Sequence, residues 1–494
     1  MKYTIAIDQS TSATKVMLFD EKESLQAGVS VEHKQYYPAP GWVEHDPMEI
    51  LRNLDAAFRE IIFISKVNPS DVSSVAITNQ RETVVVWHAE TGEPVYNAVV
   101  WQCQRGAEIC NELREKGHDA MVRSKTGLFL DPYFSASKVK WILDKVPGAR
   151  ESANKGLLRM GTMDSWLIWN LTDKTVHATD YTNASRTLLF NIHTLDWDDE
   201  LLKLFSIPRS MMPEVRPCDV VFAETDLNSL LPKSIPIAGV MGDSHGALAG
   251  QMCFEAGLGK ATYGTGSSVM VNIGLEPLEA PAGLVTSVGF AAMGEVYYAF
   301  EGNIHCTGDT IQWLCNDLGL LSSPSESESL ATSISDNHGV YFVPAFAGLG
   351  APWWNNEARA LICGMDRGTD KRHIVRAALE AIAYQIKDLV NVMSEESGLS
   401  VYELRVDGGA VRNNFLMQFQ ADILNVPVSR CSIKEASAFG AVLMNALALG
   451  RRKSFDALNV LRTGESIIVP TMSVQERNKL YTGWKKAVTL INPS

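Results

Sequence analysis

The sequence has no long apolar run, no basic tract and no paired-cysteine motif, and each absence removes a class of protein. No stretch of about 18 uncharged apolar residues occurs in the 494-residue chain, so neither a transmembrane helix nor membrane insertion is expected. The opening Met1-Lys2-Tyr3-Thr4-Ile5-Ala6-Ile7-Asp8 is an apolar strand stopped by a carboxylate, not the sustained apolar segment of a signal peptide. The eight cysteines make no C-x-x-C and no metal-ligand spacing with the ten histidines, so they read as buried thiols in a reducing, cytoplasmic compartment. Lys plus Arg number 44 against 57 Asp plus Glu, a net charge of -13 with no basic segment to follow a phosphate backbone, which argues against nucleic acid as a partner.

What remains is ordinary globular composition, 46% hydrophobic and 20% charged, which excludes a disordered or fibrous chain. At roughly 150 residues per domain the length implies two or three domains. Both halves carry mixed α/β signals. Tyr3 to Ile7 reads as a strand, residues 8–15 as a polar turn and Val16 to Phe19 as a returning strand. The plan recurs half a chain later: Ala261-Thr262-Tyr263 leads into Gly264-Thr265-Gly266-Ser267-Ser268, and Val269 to Ile273 leads out. Two hydroxyl- and glycine-rich hairpins imply a duplicated domain whose turns turn backbone N–H groups toward phosphate, with a ligand in the cleft between copies. Farther on, His373 to Met393 has helical periodicity and a stop at Gly398. Asn413 or Asn414 can cap the next helix, and Arg405-Val406-Asp407-Gly408-Gly409-Ala410 reads as a strand ending in a close-approach turn suited to a nucleotide.

Several side chains are candidates for chemistry, each with a plainer alternative. Asp8, followed by Ser10, Thr11 and Ser12, can hold a metal beside a phosphate, or simply cap its loop. Asp243 follows the strand Ile235 to Met241 and can accept a hydroxyl proton, or cap the helix it starts. Arg81-Glu82, between the strands Val75 to Ile77 and Val84 to Trp87, is either an exposed turn or a donor–acceptor pair for vicinal hydroxyls. Trp101 and Tyr133 can wall a carbon skeleton or fill a core. Gly242-Asp243-Ser244-His245-Gly246 also fits the G-x-S-x-G elbow of a hydrolase, although no oxyanion segment precedes it. An aspartyl-phosphate enzyme on Asp8 would want Asp at position 10, which is Ser, and the glycines at 264 and 266 lack the third of a dinucleotide fingerprint.

Longer motifs then accumulate in order along nearly the whole chain. Residues 36–47 (Tyr36 through Gly41-Trp42-Val43-Glu44-His45-Asp46-Pro47), Asn79-Gln80-Arg81-Glu82-Thr83, Leu130-Asp131-Pro132-Tyr133-Phe134, Asp180 to Thr187, Phe346 to Pro352, and Asp407-Gly408-Gly409-Ala410 with Asn413 resemble the glycerol kinases of the FGGY carbohydrate kinase family. The resemblance implies an α/β protein of two actin-like (ribonuclease H-like) domains, residues 1–250 and 251–494, closing on ATP, Mg²⁺ and a small polyol or sugar, in a homo-oligomer. It implies Asp243 as general base for a primary hydroxyl. Arg81, Glu82, Trp101 and Tyr133 would hold the polyol, and Thr11, Ser12, Lys15, Gly264 and Thr265 would surround the phosphates. Gly308, Gln312, Gly409 and Asn413 would contact the nucleotide, and Asp8 with Asp243 would hold Mg²⁺ through water.

Departures from the family gather at substrate choice. Glycerol kinases usually read Gly-Asp-Gln-Gln-Ala-Ala where this chain has Gly242-Asp243-Ser244-His245-Gly246-Ala247, and usually carry Phe where this chain has Ser268. Both changes remove volume and add a hydroxyl, so a tetritol, pentitol or ketopentose stands beside glycerol as the expected acceptor. The Asp-x-His-x-Gly spacing is similar to that of ribulokinases. Residues 225–233 carry neither a glycine-rich Arg segment nor a His, so the regulation that some family members carry in that loop is not expected. A non-catalytic nucleotide-binding regulator is the alternative of a different class.

Overall fold

The computed structural model describes residues 2–492 except 282, 354, 356 and 465, and the side chains of 396 and 397 are also outside the description. Two twisted sheets organise the chain. The first holds β1 (Tyr3–Gln9), β2 (Ala13–Phe19), β3 (Leu25–Glu32), β4 (Val72–Asn79), β5 (Val221–Thr225) and β6 (Ile235–Gly242), in the order β5-β6-β4-β1-β2-β3. β1 to β3 form an antiparallel meander, while β4 runs parallel to both β1 and β6. The central strands are buried on both faces, which is why they read as nearly continuous apolar runs. Ile5 and Ile7 pack with Ile50, Leu54 and Phe58 on one side. On the other, the small side chains of Ala6 and Ala76 leave room for helices.

The second sheet holds β7 (Leu258–Tyr263), β8 (Ser267–Gly274), β9 (Val285–Ala292), β10 (Glu295–Ile304), β11 (Glu403–Gly408), β12 (Val428–Arg430) and β13 (Ser466–Ile468), in the order β9-β10-β8-β7-β11-β12-β13. Its antiparallel β10-β8-β7 and parallel β7-β11-β12 repeat the pattern β3-β2-β1 and β1-β4-β6 of the first sheet. The paired hairpins of the sequence are the equivalent strands β1-β2 and β7-β8. Both turns are shorter than the sequence implied. Ladder pairs Asp8↔Lys15 and Gln9↔Thr14 draw Ala13 to Lys15 into β2, leaving Ser10 to Ser12 as the turn. Tyr263↔Ser267 and Thr262↔Ser268 likewise put both serines in β8. The helix expected at 373–393 extends over Lys371–Ser397, capped by Asp370 and stopped by Gly398 at φ +67. Asn413, not Asn414, caps Asn414–Leu424 by accepting from the Leu416 N–H.

Each sheet's fifth strand of this pattern leads to a helix, and the two helices cross. α1 (Asp243–Gly250) follows β6, and α2 (Ala436–Ala448) comes after β12 and returns to the first sheet. α2 is buried all round, as its apolar composition demands. Its Asn445 amide donates to the Val75 and Ala238 carbonyls at 3.1 and 2.8 Å, which ties the helix to β4 and β6. Glycine makes the crossing possible. A Cβ on Gly440 would overlap the Gly246 carbonyl oxygen, one on Gly250 the Ala436 carbonyl, and one on Gly246 would come within 2.6 Å of the Ser437 carbonyl.

Gly440→Ala therefore has no side chain to push aside, only backbone. Forcing a methyl into a packed contact typically costs about 1–3 kcal/mol, and here the upper end is expected. Urea unfolding should show a loss of about 3 kcal/mol; a change under about 0.5 kcal/mol would mean that the two helices are free to separate.

Candidate active site

The helix crossing sets Asp243, the first residue of α1, at the rim of a cleft between the two sheets. Three cavities run along it. The first, about 750 Å³, is lined by Trp101, Tyr133, Asp243, Ser244, Ser268 and Glu301 among others. Through Ala247, Thr262 and Ser437 it meets a second of about 870 Å³, lined by Asp8, Lys15, Glu435 and the Gly408-Gly409 turn. Gly409 and Arg412 connect this to a third of about 530 Å³, where Thr265, Gly308, Gln312 and Asn413 share the wall with Ile311, Leu379, Ile382 and Leu416. The free cysteines mostly follow expectation, though Cys315, Cys363 and Cys431 are only half-buried.

A buried ion cluster adjoins the first cavity, with Arg186 and Glu301 reaching its lining. Arg81 spans to Glu301 with two hydrogen bonds of 2.8 Å, one from each terminal nitrogen. Arg186 donates from Nε to Glu82 at 2.7 Å and pairs through Nη1 with Glu301 at 2.9 Å. Arg81, Glu82 and Arg186 belong to the first half of the chain and Glu301 to β10 of the second, so the cluster crosses the cleft. Burial works against ionising Glu301, but Arg186 and Arg81 outweigh it and hold the carboxyl well below the usual range. Asp243 has a looser setting: Arg81 Nε is 3.3 Å from its Oδ1, and 37% of its side chain stays open to the cavity. Burial raises its pKa and the Arg81 charge only partly reverses this.

The sequence-selected residues separate into groups. Trp101 and Tyr133 line the first cavity edge to face, with centroids 5.4 Å apart, and the Trp101 indole donates to Thr11 Oγ1 at 2.9 Å. Ser244 and Ser268 line it as well. Arg81 and Glu82 do not; they stand behind the wall, 4% and 2% exposed, because a buried guanidinium needs its carboxylates close. Lys15 Nζ lies 3.8 Å from Asp8 and 3.1 Å from Glu435. Burial, opposed by Lys15 and reinforced by Asp243 and Glu435, pushes the Asp8 carboxyl up to about 7. Gly264, Thr265, Gly308, Gln312, Gly409 and Asn413 all face the third cavity. Thr11 and Ser12 sit on the turn between β1 and β2; Ser12 is exposed.

His245 points away from this chemistry. It is fully buried, with Nε2 3.0 Å from Ser287 Oγ, and burial together with Arg81 keeps the ring neutral. Among the described residues no hydrogen bond joins the Ser244 hydroxyl to a histidine, so the G-x-S-x-G spacing does not assemble a nucleophile and base. Glu301, Arg186, Lys260 and Glu435 were not singled out from sequence. The available signal was a charge embedded in an apolar run, as in Tyr297-Tyr298-Ala299-Phe300-Glu301.

Models of the FGGY family of carbohydrate kinases match residues 3–250 (N-terminal domain) and 259–449 (C-terminal domain). The chain is 51% identical over 489 residues to glycerol kinase 2 of Thermotoga maritima, covering 99% of this chain and 98% of that one. It is 48% identical over 493 residues to glycerol kinase of Shewanella frigidimarina, covering 100% and 98%. Glycerol kinase of Plasmodium falciparum, solved with ADP, superposes with a TM-score of 0.95 at 36% identity over 100% of this chain and 99% of that one. Xylulose kinase of Lactobacillus acidophilus shares the fold, with a TM-score of 0.89 at 21% identity over 100% and 99%. The two-domain, actin-like α/β fold expected from sequence is the fold of this chain.

Glu301→Gln would leave two buried guanidinium groups with only Glu82 and the partly open Asp243 beside them, and breaking a buried pair costs about 3–5 kcal/mol. A neutral-pH unfolding measurement should show a loss of about 3 kcal/mol. Because the folded pKa is depressed, the carboxylate's contribution exists above its unfolded pKa, about 4.3, and is lost as pH falls below it. The variant should lack that part of the acid destabilisation; parallel acid profiles for the two proteins would contradict the ion pairing.

Proposed function

This chain belongs to the FGGY family of carbohydrate kinases, and from that premise we propose that it transfers the γ-phosphoryl group of ATP to a primary hydroxyl of glycerol, giving glycerol 3-phosphate and ADP. The observation that carries the reading is Asp243: a carboxylate open to a polyol-sized cavity that leads directly into the one lined by Asp8 and Lys15.

In this reading Asp243 accepts the hydroxyl proton as the oxygen bonds to the γ-phosphorus and the β–γ bridge oxygen leaves with ADP. Its raised pKa brings it closer to the pKa suited to general-base work, and Arg81 Nε keeps the ionised form accessible. Trp101 and Tyr133 form the wall for the carbon skeleton. Arg81 and Glu82, which do not line the cavity, bear on the reaction through Asp243, which Arg81 Nε adjoins at 3.3 Å, while Glu301 and Arg186 fix their orientation. Phosphoryl transfer asks for alignment and charge stabilisation rather than covalent chemistry. Lys15, the Thr11–Ser12 turn and the Gly264–Thr265 turn supply these around the phosphates. For the nucleoside, the third cavity offers apolar side chains with Gln312 and Asn413 as polar anchors. Gly409 has no heavy atom within 4 Å of where a Cβ would stand, so its backbone presents open space to a ligand.

Asp8 and Asp243 would hold a Mg²⁺ ion, which commonly takes one or two carboxylates and completes its shell with water and phosphate oxygens. The charge Asp8 feels from Asp243 and Glu435 is relieved by a cation at that place. Bound there, Mg²⁺ supplies neutralisation of the charge on the phosphates. The domain division at 250 and 251, a cytoplasmic location and a homo-oligomer belong to the same reading; among the described residues no helix is long and apolar enough to cross a membrane.

Asp243→Asn should lower kcat by about 10²–10⁴-fold, the range of a general base, while ADP affinity measured by calorimetry changes less than about threefold. Wild-type kcat should rise with pH through a pKa above the ordinary carboxylate value, since the deprotonated form is the base, and turnover should stop with EDTA and return with Mg²⁺. Near-wild-type turnover in the Asn variant would sink the base assignment.

A further inference from the structure

The first cavity has a floor whose chemistry differs from its aromatic wall. It is one face of the second sheet, and the strand register shows how it is built. Thr262 pairs with Ser268, and Ser268 pairs with Asn303, so three short polar side chains stand in a row across β7, β8 and β10. Directly paired residues share a face. The adjacent row on that face is Lys260, Met270 and Glu301, and His305 follows just past the end of β10. Lys260 Nζ reaches Ser268 Oγ at 3.2 Å and Thr262 Oγ1 at 3.3 Å. Lys260, Thr262, Ser268, Asn303 and His305 all line the cavity together with Asp243 and Ser244.

Resting on the phosphoryl-transfer reading above, we infer that this row is a second hydroxyl-binding subsite and that the protein also phosphorylates linear polyols of four or five carbons. A cavity of about 750 Å³ lies within the roughly 300–1,000 Å³ of sites that enclose ligands much larger than a triol. Its extra space is polar. Each added carbon of a polyol brings one hydroxyl, and the Ser268 hydroxyl and Asn303 amide offer a donor and an acceptor for it. Lys260 donates to Ser268 Oγ, so the Ser268 proton is free to point into the cavity. The reaction is unchanged: the terminal hydroxyl oxygen bonds to the γ-phosphorus, its proton passes to Asp243, and the bridging oxygen leaves with ADP.

ADP release with Mg²⁺-ATP, measured on the wild-type protein with glycerol, erythritol, ribitol, arabitol and xylitol, tests this without any variant. At least one longer polyol should reach a tenth or more of the glycerol kcat/KM, and failure of all four to do so overturns the inference while leaving glycerol kinase activity in place. Turnover of a longer polyol without glycerol would instead remove glycerol as acceptor and keep the subsite. Silence on every acceptor would remove both. The double variant Ser244→Gln/Ser268→Phe should lower the ratio of longer-polyol to glycerol kcat/KM at least tenfold, and Asn303→Ala at least fivefold, with ADP binding confirming that each variant is folded. Ratios unchanged in both variants would overturn the assignment of the row.

Discussion

Two helices that touch backbone to backbone govern the rest of this molecule. α1 and α2 approach so closely that the Cβ atoms missing from Gly246, Gly250 and Gly440 would occupy space already filled by carbonyls. Such a contact has little compliance, because the groups that meet are not rotatable side chains. It fixes the first residue of α1, and that residue is Asp243. It also fixes the depth of the cleft, because each helix emerges from the equivalent strand of its own sheet.

The charges follow from that geometry. Within the buried cluster, Arg81 and Arg186 are balanced by Glu82 and Glu301, which satisfies the requirement that buried charge be paired. Asp243 is the fifth charged group, near Arg81 but without a guanidinium of its own. A carboxylate in that position keeps a proton affinity above the ordinary value yet remains available to a ligand. Farther along, Lys15 lies between Asp8 and Glu435, so its charge is shared before any phosphate arrives. The cleft thus changes from a walled carboxylate, through a cation between acids, to a mostly apolar chamber. That order matches a polyol, a triphosphate and a nucleoside.

Much of this was legible in the sequence, and the part that was not has a common cause. The repeated hairpins announced the duplication because hydroxyl- and glycine-rich turns between apolar strands are local features. Asp243 was visible for the same reason, as a carboxylate at a strand-to-helix junction. Glu301 was not, since its meaning lies in contacts to residues 220 and 115 positions away in the chain. Arg81 and Glu82 were recognised as a pair, but only packing reveals that Glu301 and Arg186 take up most of their hydrogen-bonding capacity behind the wall. The sequence left open whether His245 touches a substrate or packs; two residues along a helix from Asp243 it faces elsewhere, and here it faces Ser287. Ser268 read as a loop residue, whereas the ladder makes it a strand residue with a defined face.

That last difference bears on how substrate choice and chemistry are separated in this fold. The proposed base, Asp243, sits on α1, whose position is set by the helix crossing, and its proton affinity is set by burial and by Arg81 of the cluster. The row Thr262, Ser268 and Asn303 sits on the second sheet, beside the row that carries Glu301, and is itself uncharged. Strand alternation lets side chains on that face change size and polarity without shifting the backbone ladder that holds them. Replacing bulk by hydroxyls there alters what fits beside the base, while the distances that determine proton and phosphoryl transfer stay under the control of other elements. A chain about half identical to glycerol kinases could therefore keep the proposed reaction while the proposed polar row changes which acceptor fits.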